Sequence, residues 1–581
     1  MAFTSSHFGV VCAALLFTTA CDRSSEPAQH ATTPPAAAVN VEWTRFVDEY
    51  IEGYFAANPD FAVASGRHEF DGKIRDLSAD GLAREIKRLE QARTRATSFG
   101  DDSMSPEERF QREYVLSQID TDLFALREAR LPFTNPSWYF GAGLDPNTYV
   151  NVPYAPVAER ARAFIAYAQQ IPAIAGHIRN NLETPLPRTF IDFAAPSFAG
   201  LAQFYRSDAP QAFAGAGDAQ LQKDLKAAIE PAAQALEELT RWLESQRARA
   251  TDKYAIGPAR FAQMLQMTER VTTPLERIEE IGRADLERNL AALREACKRV
   301  TGDAPVEACI ERVSADKPQD GPVAGAVAQL GMLRQFVIDR EVVTIPGAEE
   351  VLVKEAPAYQ RQNFAFINIP GPYEEELPSV YYIAPPDPTW SKAEQAAYVP
   401  GAAALLFTSV HEVWPGHFLQ FLHSNRSAWK FGQLFVGYAY AEGWAHYAEE
   451  LMIEKGLAQD QPARHVGQLM NALLRNVRYL CAIGLHTKGM TVAECERMFK
   501  EKAYQDPGNA RQQAARGTYD PGYLNYTLGK LMIRRLRADW SAPRGGEQGW
   551  KQFNDELLSY GGPPLPLVRA RMMKGEGGEF F

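Results

Sequence analysis

Between Ser409 and Phe418 the chain reads Ser-Val-His-Glu-Val-Trp-Pro-Gly-His-Phe, which puts a His-Glu pair and a second His inside one apolar run. An imidazole and a carboxylate buried without partners are costly, so these side chains must be paired or bind a metal. The pair offers a nitrogen ligand to a borderline cation such as zinc and a carboxylate that takes a proton from metal-bound water. The spacing departs from the HExxH pattern, because Pro415 stands four residues after His411 and the next histidine is His417. On a continuous helix of about 100° per residue, six residues would turn His417 about 240° away from His411. Helical continuity must therefore fail between them. Pro415 disfavours the α conformation at Trp414 and lacks a backbone donor, while Gly416 permits dihedrals that other residues avoid. The expectation is a buried helix from Ala402 to Trp414, a break after Trp414, and His417 swung back toward His411.

A catalytic zinc takes three protein ligands and leaves one position for water. The apolar helical segment Tyr440 to Glu450 supplies Glu442 as the favoured third ligand. His446, one turn on, and Glu449, two turns on, are alternatives, either as ligands or as partners that orient His411 or His417. Six of the ten histidines (His411, His417, His423, His446, His465 and His486) fall between Val410 and Met490; His423 and His465 read as ordinary residues. Amide hydrolysis also needs a donor for the developing oxyanion. Three tyrosines fall within Tyr519 to Tyr526, with Tyr526 favoured and Tyr519 second. Arg475 and Arg478 sit in an otherwise apolar helix from Val466 to Leu485, where a buried guanidinium needs a carboxylate. A salt bridge within the core is the expected role for both, and capture of a substrate's C-terminal carboxylate is the functional alternative.

Elsewhere helical periodicity dominates. Helices are expected over Trp43 to Ala57, Leu82 to Thr97, from Ser105-Pro106 onward, and over Val157 to Leu182, Asp218 to Gln246 and Pro274 to Val300. The last is read with Thr273 and Glu276 as a capping box. Asn363 to Ile369 and Ser379 to Ile383, rich in β-branched and aromatic residues and separated by Pro370-Gly371-Pro372, read as two strands of a small sheet. An edge strand there can pair with an extended peptide, the alternative being a purely structural hairpin.

With 581 residues, 46% of them hydrophobic, the chain can bury a large core, and its net charge of -11 excludes a nucleic-acid partner. Residues 1 to 20 carry no Lys, Arg, Asp or Glu, and the apolar run Phe8 to Phe17 is about half the roughly 20 residues that span a bilayer. This reads as a signal peptide. Thr18-Thr19-Ala20-Cys21 resembles a lipobox, which would place a lipid on Cys21 and the protein on the periplasmic side of a bacterial membrane; plain secretion or a buried N-terminal segment are the alternatives. Residues 21 to 42, poor in large apolar side chains, read as a flexible tether, and 43 to 581 as one helical domain with its catalytic core in about 360 to 540. In an oxidising compartment the spacings allow disulfides Cys297–Cys309 and Cys481–Cys495, with four separate thiols the alternative.

The HExxPGH pattern and the following Glu442-Gly443-Trp444-Ala445 segment resemble the domain of unknown function 885 family, bacterial proteins that are often lipoproteins and are related to gluzincin zinc peptidases. The similarity runs over most of the mature chain and is densest from Asn363 to Leu536. It includes Arg478 to His486 and Tyr526-x-x-Gly529, although the first of these often carries an Asp where this chain has Ala482. The resemblance implies a mainly α, gluzincin-like fold with a small β-sheet next to the metal-binding helix. It also implies Zn²⁺ on His411, His417 and Glu442, with Glu412 as base. Together these readings point to hydrolysis of peptides outside the cytoplasm. Hydrolysis of a non-peptide amide or ester, or a non-catalytic lipoprotein that kept the fold, are the alternatives.

Overall fold

The computed structural model describes residues 40–361, 364–374, 376–575 and 579–581. The signal peptide, the lipobox Cys21 and all of the tether before Asn40 lie outside these residues. Val41 and Glu42, assigned above to the tether, already belong to the first helix, Val41–Ala57, whose amide at Trp43 is capped by the Asn40 side chain at 3.0 Å.

The fold is mainly α with one three-stranded sheet. Ser105 and Glu108 form a reciprocal capping box that starts the helix Pro106–Leu123. The box expected at Thr273 does not form. Pro274 keeps an extended ψ of 143° and occupies the cap position itself, so the helix Leu275–Thr301 starts one residue later, without a side-chain cap. The span Val157 to Leu182 divides into Val157–Ala168 and Ile171–Asn181, because Pro172 belongs in a first turn rather than in a helix interior.

Strands β2 (Ala365–Asn368) and β3 (Ser379–Ile383) pair antiparallel, with Ile367 opposite Tyr381. A further strand, β1 (Val351–Glu355), pairs parallel with β3 on its other side. Its first three residues are apolar, but Lys354 and Glu355 shorten the pattern below recognition. The order β1-β3-β2 leaves β2 at an edge and buries all of β3.

The apolar core has two large parts. One gathers the helices between Trp43 and Leu243 and is extended by Phe431, Leu434 and Phe435. The other surrounds the helices from Leu275 to Met572 and holds the His-Glu segment. Two disulfides lie in the second part: Cys297–Cys309 joins consecutive helices, and Cys481–Cys495 ties the helix Pro462–Thr487 to the helix Val492–Lys502. Among the described residues no helix is long and apolar enough to cross a membrane.

Candidate metal centre

The helix Ala402–Glu412 is almost entirely apolar and ends at Glu412, two residues sooner than its composition suggests. The proline ring would meet the carbonyl four residues back and restricts Trp414, so helical geometry is already lost at Val413 (φ -124°, ψ -76°). A new helix, His417–Ser424, begins at the second histidine. The Gly416 amide donates to the Val410 carbonyl at 2.9 Å. A Cβ on Gly416 would lie 1.8 Å from the His411 carbonyl oxygen. Its φ is -73°, so close approach rather than a left-handed backbone demands glycine here. Trp444 pins the break from outside, donating its indole N–H to the Pro415 carbonyl at 2.8 Å.

The helix Tyr438–Glu454 brings Glu442 against both histidines. Glu442 Oε2 lies 3.2 Å from His411 Nε2 and 3.2 Å from His417 Nε2. The three candidate ligand atoms lie within 4.8 Å of one another, and the imidazole rings stand nearly perpendicular, 4.8 Å between centroids. Two imidazole nitrogens and one carboxylate oxygen form a donor set suited to a cation such as zinc. Three polar atoms converging in a buried place, each offering a lone pair, fit a cation better than they fit one another. His417 Nδ1 is buried with no hydrogen-bond partner among the described residues.

Behind His411, Glu449 Oε1 meets Nδ1 at 2.8 Å and also receives Arg475 at 3.1 Å. Burial would raise the fully buried Glu449 carboxyl, but Arg475 and the hydrogen bond to His411 outweigh it and hold the group well below its usual range. Glu449 therefore orients His411 from behind, as an anionic acceptor on the nitrogen turned away from Glu442. His446 faces Glu449 at 3.7 Å rather than the cluster, and burial pushes it down to about 4, so it is neutral. Of the other histidines, His423 and His486 meet backbone carbonyls of Thr344 and Gly517, and His465 meets Arg299.

Glu412 is buried next to this cluster and, with His411, lines a cavity of about 380 Å³. Burial raises its carboxyl above the ordinary value, against the opposing charges of His411 and His417. Tyr526 lines the same cavity, its ring stacked 5.9 Å from His411. Its helix, Asn525–Ser541, packs on Tyr438–Glu454 glycine to glycine, since a Cβ on Gly443 would lie 2.5 Å from the Gly529 Cα. This contact links the two segments that sequence reading had singled out separately. Tyr519 is elsewhere, packed 4.6 Å from Phe193. Ala365 of edge strand β2 and Phe364 also line the cavity.

Sequence reading missed Arg516, which also lines the cavity and meets Asp520 at 2.9 Å, Tyr438 at 3.1 Å and the Tyr526 hydroxyl at 3.4 Å. Its one sequence signal was its place directly before Gly517, at the head of the tyrosine-rich stretch. Ala482 is fully buried in the apolar core and supplies nothing to the site.

Two solved structures share this architecture. One, from Shewanella oneidensis and described as a candidate lipoprotein of unknown function, is 21% identical, with a TM-score of 0.73 over 91% of this chain and 99% of the other. The second, from Colwellia psychrerythraea and also described as a candidate lipoprotein, is 17% identical, with a TM-score of 0.75 over 92% and 98%. At these identities the likeness establishes the fold. The search of curated proteins found no match. Residues 59–572 match the family described as "Bacterial protein of unknown function (DUF885)", and the chain belongs to that family.

Proposed function

We propose that the protein is a zinc-dependent peptidase acting outside the cytoplasm. The observation that carries this reading is the position of Glu412: a buried carboxyl beside the His411, His417 and Glu442 ligand atoms, on the wall of one cavity. A zinc ion held by those three residues would supply Lewis acidity, polarising a scissile carbonyl and lowering the pKa of a water to about 7. Glu412 takes that water's proton as it attacks the carbonyl and returns it to the leaving amine. Tyr526, which lines the cavity, donates its hydroxyl to the oxyanion in this reading, while Arg516, 3.4 Å from that hydroxyl, orients the phenol. Glu449 keeps His411 in the tautomer that offers Nε2. Edge strand β2 offers backbone groups to an extended substrate along the cavity wall.

In this reading residues 1 to 20 direct export, Cys21 carries a lipid and residues 21 to 40 tether the helical domain to the periplasmic face of a membrane. Peptides are the substrates.

The test is Glu412→Gln. The variant is expected to hold zinc at the wild-type stoichiometry, measured by metal analysis after gel filtration, while peptide hydrolysis falls by about 10²–10⁴-fold. Wild-type turnover in the variant would remove Glu412 from the mechanism. A wild-type protein that binds zinc but cleaves no member of a broad peptide library would favour a non-peptide amide or a non-catalytic role.

A further inference from the structure

Arg475 and Arg478 stand about one turn apart on the helix Pro462–Thr487, and both line the cavity next to His411 and Glu412. Their partners differ. Arg475 is committed to Glu449 at 3.1 Å. Arg478 is only 7% exposed, yet among the described residues it has no carboxylate within ion-pair distance. Its Nε donates to Gln513 Oε1 at 2.7 Å, and its guanidinium carbon lies 4.8 Å from the centre of the Tyr526 ring. Burial, together with the nearby charges of Arg516 and Arg475, disfavours the cation and lowers its pKa. The neighbouring Arg516 is engaged by Asp520 and two tyrosines. A buried guanidinium without a counter-charge is expensive, and its planar fork matches a carboxylate through two parallel hydrogen bonds.

We infer that Arg478 receives the free C-terminal carboxylate of a peptide whose scissile bond lies at the His411, His417 and Glu442 cluster, so that the enzyme releases short C-terminal pieces. This rests on the peptidase reading above and names its substrate class. The distance supports it. The Arg478 guanidinium and the His411 ring sit 4.8 Å and 5.9 Å from the same Tyr526 ring. An extended chain rising roughly 3.3 Å per residue would cross from the guanidinium to the metal ligands in about one to three residues. The products expected are therefore pieces of one to about three residues, and internal cleavage far from a terminus is not.

The experiment compares peptide pairs identical except for a free or an amidated C-terminus. Wild-type enzyme should prefer the free acid about 10- to 100-fold in kcat/KM, the range expected for a charge-assisted bidentate contact. In Arg478→Gln the acid-to-amide ratio should collapse toward one, and in Arg478→Lys it should be intermediate. The ratio is internal to each preparation, so partial misfolding does not move it. Equal rates on acid and amide in the wild type would overturn the inference while leaving a peptidase. An amidated peptide with a penultimate Asp cleaved as fast as the free acid would overturn it in favour of a side-chain carboxylate. If the wild type cleaves no peptide, zinc-loaded Glu412→Gln titrated calorimetrically with both forms separates the two claims. Tighter binding of the free acid, lost in Glu412→Gln/Arg478→Gln, supports the carboxylate site although the peptidase reading has failed. Equal affinities refute it.

Discussion

The helix Tyr438–Glu454 takes part in two buried charge clusters, and they are built differently. On one side Glu450 joins Asp285, Lys530 and Arg288. Lys530 lies 2.6 Å from Asp285 and 3.7 Å from Glu450, Arg288 meets both carboxylates at 2.7 and 2.6 Å, and Asn476 adds a hydrogen bond to Asp285 at 2.8 Å. Every charge there meets an opposite charge. On the other side Glu442 faces two histidine nitrogens at once, Glu412 is buried beside them, and Arg478 has no carboxylate partner among the described residues. Both clusters lie inside a well-packed core. A satisfied cluster holds helices together, whereas an unsatisfied one is a candidate for completion by a metal or a substrate.

The comparison breaks most readily at Lys530. Lys530→Met removes the central cation of the paired cluster and leaves Asp285 and Glu450 with Arg288 between them and Arg534 on Glu450 alone. The expected loss is about 3–5 kcal/mol in urea unfolding. A loss under about 1 kcal/mol would mean that this cluster, too, is kept for something other than cohesion.

Acid separates the clusters next. Burial alone would raise the Glu450 carboxyl, but Lys530, Arg534 and Arg288 outweigh it and hold it at about 2. A carboxyl depressed in the folded state contributes its full stabilisation above its unfolded value of about 4.3, and that contribution is lost as pH falls through about 2. The loss for Glu450 is roughly 3 kcal/mol between pH 6 and pH 2. Glu450→Gln should therefore differ most from wild type at pH 6 and hardly at all at pH 2, by urea midpoints at each pH. A gap independent of pH would show that Glu450 acts through packing rather than charge.

Of the two clusters, the one around His411 stood out in the sequence and the one around Lys530 did not. His411, Glu412, His417 and Glu442 stood out because polar residues in apolar helical runs demand an explanation, and Pro415 made the helix break a geometric necessity. The structure moved that break from Trp414 back to Val413 and gave Gly416 a second reason, the contact with the His411 carbonyl. Elements with strong periodicity, such as Ala219–Gln246, were legible almost to the residue. Strand β1 was not, because its charged end left too few residues to show a period. Partner choice was also hidden. Arg475 and Arg478 look equivalent in the sequence, and only the three-dimensional packing assigns Glu449 to one and, among the described residues, no carboxylate to the other.

Glu449 marks the border between the two kinds of cluster, since it is itself satisfied yet serves the open site. Glu449→Gln keeps the shape but gives up the anion that faces His411 Nδ1 and Arg475. Zinc affinity should fall about 10- to 100-fold, the usual consequence of losing a carboxylate behind a ligating histidine, measured by competition with a chromophoric chelator. His446→Phe, which alters a neutral residue facing away from the cluster, should leave that affinity within about threefold, although it perturbs packing. Equal losses in the two variants would show that general packing rather than the His411–Glu449 contact sets the affinity.

The smallest expected effect is the most discriminating. Arg478→Met is the same kind of change as Lys530→Met, a buried cation replaced by a flexible apolar chain of similar length, but it starts from a guanidinium with no carboxylate partner among the described residues. The substitution removes a desolvation penalty, gives up the contact with the Tyr526 ring and leaves Gln513 Oε1 without its donor. These terms oppose one another, at about 1–3 kcal/mol for the orphaned acceptor and a comparable relief for the buried charge. Stability should therefore stay within about 1 kcal/mol of wild type in urea unfolding, against the several kcal/mol expected at Lys530. A large loss at Arg478 would place it with the cohesive cluster and weaken the case that its counter-charge arrives with a substrate.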